Sequence, residues 1–170
     1  MTMVKQTQTA ADTTPITLEE AAAFVWTEAE LLDRLAYREW LPLWTDDGIY
    51  AIPIERDGGD PTSALNIAYD DAVMREARVK RLLSGFSMSS APPARTVRTL
   101  SRFVVDSVDA VGMTMRAAQI LVEYKYGRTR VLGADVTFRL ERRDGAIRMK
   151  GKSILLLNSD EDLFGIGYLL

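Results

Sequence analysis

The chain carries 170 residues, 47% of them apolar, enough for one domain with a substantial core, and its 21 basic and 24 acidic side chains leave a net charge of −3. No global basic field is available to gather nucleic acid or anionic lipid. The absence of cysteine excludes disulfides and thiolate chemistry, and the absence of histidine excludes Ser-His-Asp and Cys-His triads, a two-His-two-Cys iron–sulfur centre and a two-His-one-carboxylate iron site within the chain. Carboxylate, Lys or Tyr acid–base chemistry, an all-oxygen metal site, or no chemistry remain.

Residues 1–16 are rich in Thr, Gln and Ala without periodicity, which predicts a flexible N-terminal arm ahead of a single domain over 17–170. That segment has no apolar signal-peptide core and the chain has no apolar run of membrane-spanning length, so a cytoplasmic protein with no membrane partner is expected. Thr17-Leu18-Glu19-Glu20 is a capping box, in which hydroxyl and carboxylate satisfy amides at a helix start. Leu18, Ala22, Val25, Ala29, Leu32 and Ala36 then follow at alternating spacings of four and three, one helical stripe suited to lying on a sheet. Glu39 to Trp44 reads as a short aromatic turn or helix with Pro42 near its start, Gly48 to Ile54 as a strand, and Arg56 to Ser63 as a loop.

The stretch YDDAVMREARVKRLL, Tyr69 to Leu83, reads as a helix capped by Asp70 or Asp71. On a helical wheel Ala72, Val79, Leu83 and Phe86 face inward, while Asp71 with Arg75 and Glu76 with Lys80 form solvated pairs four residues apart. Arg78 and Arg81 fall on the opposite face with Met74 and Ala77, with no acidic residue three or four positions away to pair with. A solvated basic face is the plain interpretation; a protein interface, where Arg and Met are enriched, is the sharper one.

After Pro92-Pro93 the chain turns to β structure. Arg95 to Val108, Met113 to Tyr126, Arg128 to Arg142 and Ala146 to Leu157 predict an antiparallel meander, with Asp144-Gly145 as a type I′ hairpin turn. In the third segment Leu132, Ala134, Val136, Phe138 and Leu140 alternate with Gly133, Asp135, Thr137, Arg139 and Glu141, one buried and one wet face. Helices first and a curled sheet afterwards make an α+β domain.

The order LLDRLAYREWLPLWTDDGIYAIPI, YDDAVMREARVKRLLSG, PPART, the hairpin around Arg142-Arg143-Asp144-Gly145, and KSILLLNSD resembles the beta (small) subunit of Rieske-type aromatic-ring-hydroxylating dioxygenases. Its most specific element is Arg78-Val79-Lys80-Arg81-Leu82-Leu83 followed by Pro93-Ala94-Arg95-Thr96. The resemblance implies a cone-shaped, cystatin-like or nuclear-transport-factor-2-like fold, with helices packed in a curved antiparallel sheet. It further implies three alpha and three beta subunits, with the Rieske cluster and the mononuclear iron on the alpha subunit and no catalytic, cofactor or metal residue on this chain. A beta–beta trimer fits the same scheme. Electrons would come from NAD(P)H through a reductase, and both atoms of dioxygen would go onto an aromatic ring held by the alpha subunit. Two departures fall in the first long strand: Val97-Arg98 stands where the family often has Arg-His, and Arg102 where it often has Asn.

Arg78, Arg81, Arg95 and Arg98 are the expected subunit-interface residues, with Met74 and the tail Gly165 to Leu170 as further contacts. Two rivals are set against them. A free-standing cone-fold isomerase or dehydratase would use Asp47 and Tyr50, with Tyr69 or Asp135, in a closed apolar pocket. A nucleic-acid binder would gather Arg78, Lys80, Arg81, Arg95, Arg98, Arg128 and Arg130 into a patch, against the net acidity and without any module signature.

Overall fold

The computed structural model describes residues 14–55, 62, 65–84, 92–161 and 165–170. The capping box forms as the sequence implies: the Thr17 amide donates to Glu20 Oε2 at 2.9 Å and the Glu20 amide to Thr17 Oγ1 at 3.2 Å. Helix α1 (Leu18–Asp33) buries Ala21, Ala22, Val25, Glu28, Ala29 and Leu32. Leu18, expected on that stripe, is 44% exposed, and the buried apolar residue at that end is Ile16. Ala36 lies beyond the helix, which ends as Leu35 adopts a positive φ of 58°. Of the expected arm, residues 1–13 lie outside the described residues, as do Phe86 and the expected loop 56–63 apart from Thr62.

A four-residue helix α2 (Tyr37–Trp40) and a 3-10 turn (Leu41–Leu43) with Pro42 near its start lead into β1 (Trp44–Pro53). Then come β2 (Asn66–Asp70), α3 (Ala72–Leu83), β3 (Arg95–Val108), β4 (Gly112–Lys125), β5 (Arg128–Arg143) and β6 (Ala146–Leu156). The four long strands form the expected meander. Tyr69 and Asp70, read as helical from sequence, instead end a short edge strand paired with β1, and Asp71 caps α3 by accepting from the Met74 amide at 2.9 Å. All six strands share one sheet in the order β2-β1-β6-β5-β4-β3. The β1–β6 pairing is parallel, with Ile49 beside Gly151 and Ala51 beside Ser153, so the first strand closes onto the last.

Both hairpins at the β4–β5 and β5–β6 corners use a pair of positive φ angles, 52° and 72° at Tyr126-Gly127 and 52° and 75° at Asp144-Gly145. On β5 the expected alternation holds, with Leu132, Ala134, Val136, Phe138 and Leu140 all buried. Together with Met113, Met115, Ala117 and Leu121 of β4 they form the inner face of the sheet, against which α1, Trp40, Tyr50 and the tail residues Tyr168, Leu169 and Leu170 complete one core.

Helix α3 departs from the expected wheel. Val79 is buried, but Leu83 is 43% exposed and Arg75 only 3%. Arg75 lies four residues before Val79 on the same helix face. Its guanidinium gives up the solvated pair with Asp71 for backbone carbonyls: it donates to the Gly48 oxygen, to Thr45 O at 3.3 Å and to Asp70 O at 3.4 Å. It also lies 4.3 Å from the centre of the Trp44 ring. One arginine therefore ties α3 to the start of β1.

Candidate functional site

An enzyme on this fold needs an open pocket inside the curve of the sheet, so the contents of that interior decide what the chain can do. Glu28 projects from the buried stripe of α1 and Lys152 from the inner face of β6, 0% and 1% exposed. Lys152 Nζ donates to Glu28 Oε1 at 2.8 Å, to Oε2 at 3.0 Å and to the Leu170 carbonyl at 3.0 Å, while Trp40 Nε1 donates to Glu28 Oε1 at 2.8 Å. The Tyr50 hydroxyl accepts from the Leu170 amide at 3.0 Å. Burial pushes the Lys152 ammonium down from its ordinary pKa, the Glu28 carboxylate opposing it, and burial raises the Tyr50 phenol. The rings of Trp40, Trp44 and Tyr50 meet edge to face at centroid distances of 5.2, 6.0 and 6.2 Å. Each charge here is satisfied by protein, and the space a substrate would need holds aromatic rings and the tail.

The residues a stand-alone enzyme would use are scattered. Asp47 is exposed and held by Lys150 Nζ at 2.6 Å; its pKa falls to about 2, chiefly through that lysine and then through the Thr45 side chain. Asp135 is on the outer face of β5, its side chain 52% exposed and paired with Arg102. Tyr69 is on the outer face of β2 and Tyr50 on the inner face of β1, fully buried. None of the four meets another in an apolar pocket. Sequence reasoning missed Glu28 and Lys152, although both carried a signal. Glu28 sits three residues after Val25 and four before Leu32 on the apolar stripe, and Lys152 alternates with Ile154 and Leu156.

The four expected interface arginines separate. Arg78 makes a two-pronged pair with Asp70, itself 1% exposed, donating from Nε to Oδ2 and from Nη2 to Oδ1 at 2.9 Å; that carboxylate, eight residues away, holds the Arg78 pKa up. Arg81 is exposed with no side-chain partner among the described residues, and Arg95 is exposed with its guanidinium 4.8 Å from the Tyr124 ring. Arg98 corrects the expectation. The alternation of β3 turns Thr96, Arg98 and Leu100 inward, so Arg98 has a side chain only 1% exposed, donating to Asp33 of α1 and to the Leu169 carbonyl. Its amide and the Thr96 hydroxyl each donate to the Asp33 carboxylate at 2.8 Å. Arg98 fastens strand, helix and tail together inside the subunit. The tail is likewise core, with Leu169 and Leu170 each 1% exposed, while Met74 is outward at 52%.

An open, curved sheet packed against a helix, with its interior filled, defines a cystatin-like, nuclear-transport-factor-2-like α+β domain. The family model described as ring hydroxylating beta subunit matches residues 27–160. The chain belongs to that family: it is a small, or beta, subunit of the aromatic-ring-hydroxylating dioxygenases. It is 30% identical over 144 residues to the small oxygenase component of the p-cumate 2,3-dioxygenase system of Pseudomonas putida, covering 83% of this chain and 79% of that one. It is 31% identical over 150 residues to the benzene 1,2-dioxygenase beta subunit of the same species, covering 82% and 78%. Among solved structures, the beta subunit of benzoate 1,2-dioxygenase from Burkholderia mallei matches with a TM-score of 0.76 at 22% identity, covering 91% of this chain and 98% of that one, a likeness of fold.

Proposed function

We propose that this chain is the non-catalytic, structural partner of an iron-bearing large subunit in the terminal oxygenase of an aromatic-ring-hydroxylating dioxygenase, with residues 17–170 acting as its single domain. The observation that carries this reading is the filled interior: the Glu28–Lys152 pair, Trp40, Tyr50 and the tail occupy the place where a cone-fold enzyme keeps its substrate. The chain has neither His nor Cys, so its donor set does not fit a Rieske cluster or the usual mononuclear iron, and both belong on the large subunit. Three large and three small subunits, the small ones meeting as a trimer, are the assembly this role calls for, and the compartment is the cytoplasm. No described helix is long and apolar enough to cross a membrane.

Arg81 and Arg95 are the interface arginines of this reading, with Arg78 held ready by Asp70 and the outward Met74 on the same helix as Arg78 and Arg81. Desolvated arginine is costly unless paired, so the facing surface supplies acids or carbonyls. The test is co-expression of the tagged chain with the large subunit, followed by size-exclusion chromatography, iron analysis and visible spectroscopy. Co-elution in equal ratio with an iron-bearing partner that carries the Rieske chromophore is the expected result; elution alone and free of iron overturns it. Arg81→Ala and Arg95→Ala should loosen the assembly and leave the isolated subunit folded.

A further inference from the structure

The sheet face turned away from α1 carries a groove of about 480 Å³ whose floor exists because small residues line up across strands. Arg139 on β5, Gly151 on β6 and Ile49 on β1 form one row of register partners; Thr137, Ser153, Ala51 and Tyr69 form the next, reaching β2. A Cβ at position 151 would lie 2.5 Å from Arg139 Nε and 2.9 Å from its Nη2, so the guanidinium occupies space that only a glycine leaves free. Thr62 and Tyr69 wall the far side.

Arg139 has neither the acid that pairs most cations on this face nor the aromatic ring that Arg95 has. Arg102 is paired with Asp135, Arg116 with Asp106, and Arg143 and Lys150 with Asp47 and Glu141. Among the described residues no acid or other partner meets the Arg139 guanidinium, although the hydroxyl-bearing Thr137 and Ser153 line the same groove in the next row. The same face exposes Val97, Ile120, Val131 and Leu157 by 53–62%, an apolar surface of the kind that partners cover.

We infer that this groove is the socket for a carboxylate side chain of the large subunit, which the Arg139 guanidinium receives in a two-pronged ion pair on the side of the groove that carries Thr137 and Ser153. The inference rests on the small-subunit reading above. Charge complementarity selects the occupant: a planar guanidinium with no acid beside it matches a carboxylate, which supplies both the opposite charge and two acceptors when a partner covers it. A two-fold contact of the groove with a second copy would set Arg139 against its counterpart.

The experiment measures the dissociation constant between the wild-type or variant small subunit and the large subunit, with thermal unfolding and sedimentation of each lone variant alongside. Arg139→Gln should weaken association about 30-fold, and Arg139→Glu more, as expected when one member of a desolvated pair is lost or reversed. Thr137→Glu, which places a carboxylate beside Arg139 in cis, should plug the socket and weaken association comparably. All three lone variants should unfold at the wild-type temperature. A wild-type complex whose dissociation constant is unmoved by Arg139→Glu overturns the socket and leaves the small-subunit reading standing. Loss of self-association by the lone variants with an unaltered mixed complex assigns the groove to a second copy and overturns it equally. Failure of the wild-type chain to bind the large subunit at all removes the small-subunit reading, and this inference with it.

Discussion

Glu28 and Lys152 are the residues on which the interior turns. Removing one member of a buried, hydrogen-bonded pair strands the other charge without water, at a cost of about 3–5 kcal/mol, whereas replacing both by apolar groups of similar shape costs far less. Glu28→Gln alone should therefore lower stability to urea markedly, and Glu28→Leu combined with Lys152→Met should recover most of the loss. Equal losses for the single and double variants would refute this account of the pair. Glu20 is a milder case. Its carboxylate accepts from the Thr17 amide, from the Arg142 guanidinium and from the Thr17 hydroxyl, in that order of effect, lowering its pKa from 4.5 to about 2. A depressed folded-state pKa gives stability that is fully present above the ordinary value and is lost as pH falls toward the lower one. Thermal unfolding temperatures should thus decline more steeply between pH 4.5 and 2 in the wild type than in Glu20→Gln. Arg102, where the family often carries Asn, sits at a φ of 54° in an irregularity of β3 between Ser101 and Val104. Asn tolerates that conformation and a β-branched residue does not, so Arg102→Val should cost about 1–2 kcal/mol by chemical denaturation while Arg102→Asn stays near neutral.

At the scale of elements, what could be read from the chain was local, and what could not depended on distant partners. The capping box, the alternation of β5 and the Asp144-Gly145 turn are decided by residues a few positions apart, and each formed as expected. The strand Asn66–Asp70 escaped because five residues beside a helix cap carry little periodicity, and its place at the sheet edge is set by β1. The parallel closure of β1 on β6 joins segments about a hundred residues apart and leaves no local mark. Arg75 and Arg98 were misplaced for one reason. A surface position was inferred from charge, yet both side chains had backbone carbonyls, and Arg98 a carboxylate, waiting inside the fold. The α3 cap can be tested directly: Asp71→Ala removes the acceptor for the Met74 amide and should cost about 1 kcal/mol. Hydrogen exchange should localise that loss to α3.

For the whole molecule, the α+β class followed from element order, and composition excluded His- or Cys-ligated metal from this chain. A chain without His or Cys cannot supply the ligands of a Rieske cluster, and among the described residues Trp40, Tyr50, the Glu28–Lys152 pair and the tail fill the interior of the sheet. The sheet face that stays exposed and the basic face of α3 are then what the molecule offers to others. Native mass spectrometry of the co-expressed complex, with collisional release of one subunit at a time, tests this most directly. Equal numbers of small and large subunits, this chain leaving at the mass of its bare polypeptide and all iron staying with the remainder, is the expected result. Release of this chain with bound iron, or its detection only as a free species beside an intact large-subunit assembly, would contradict a structural role.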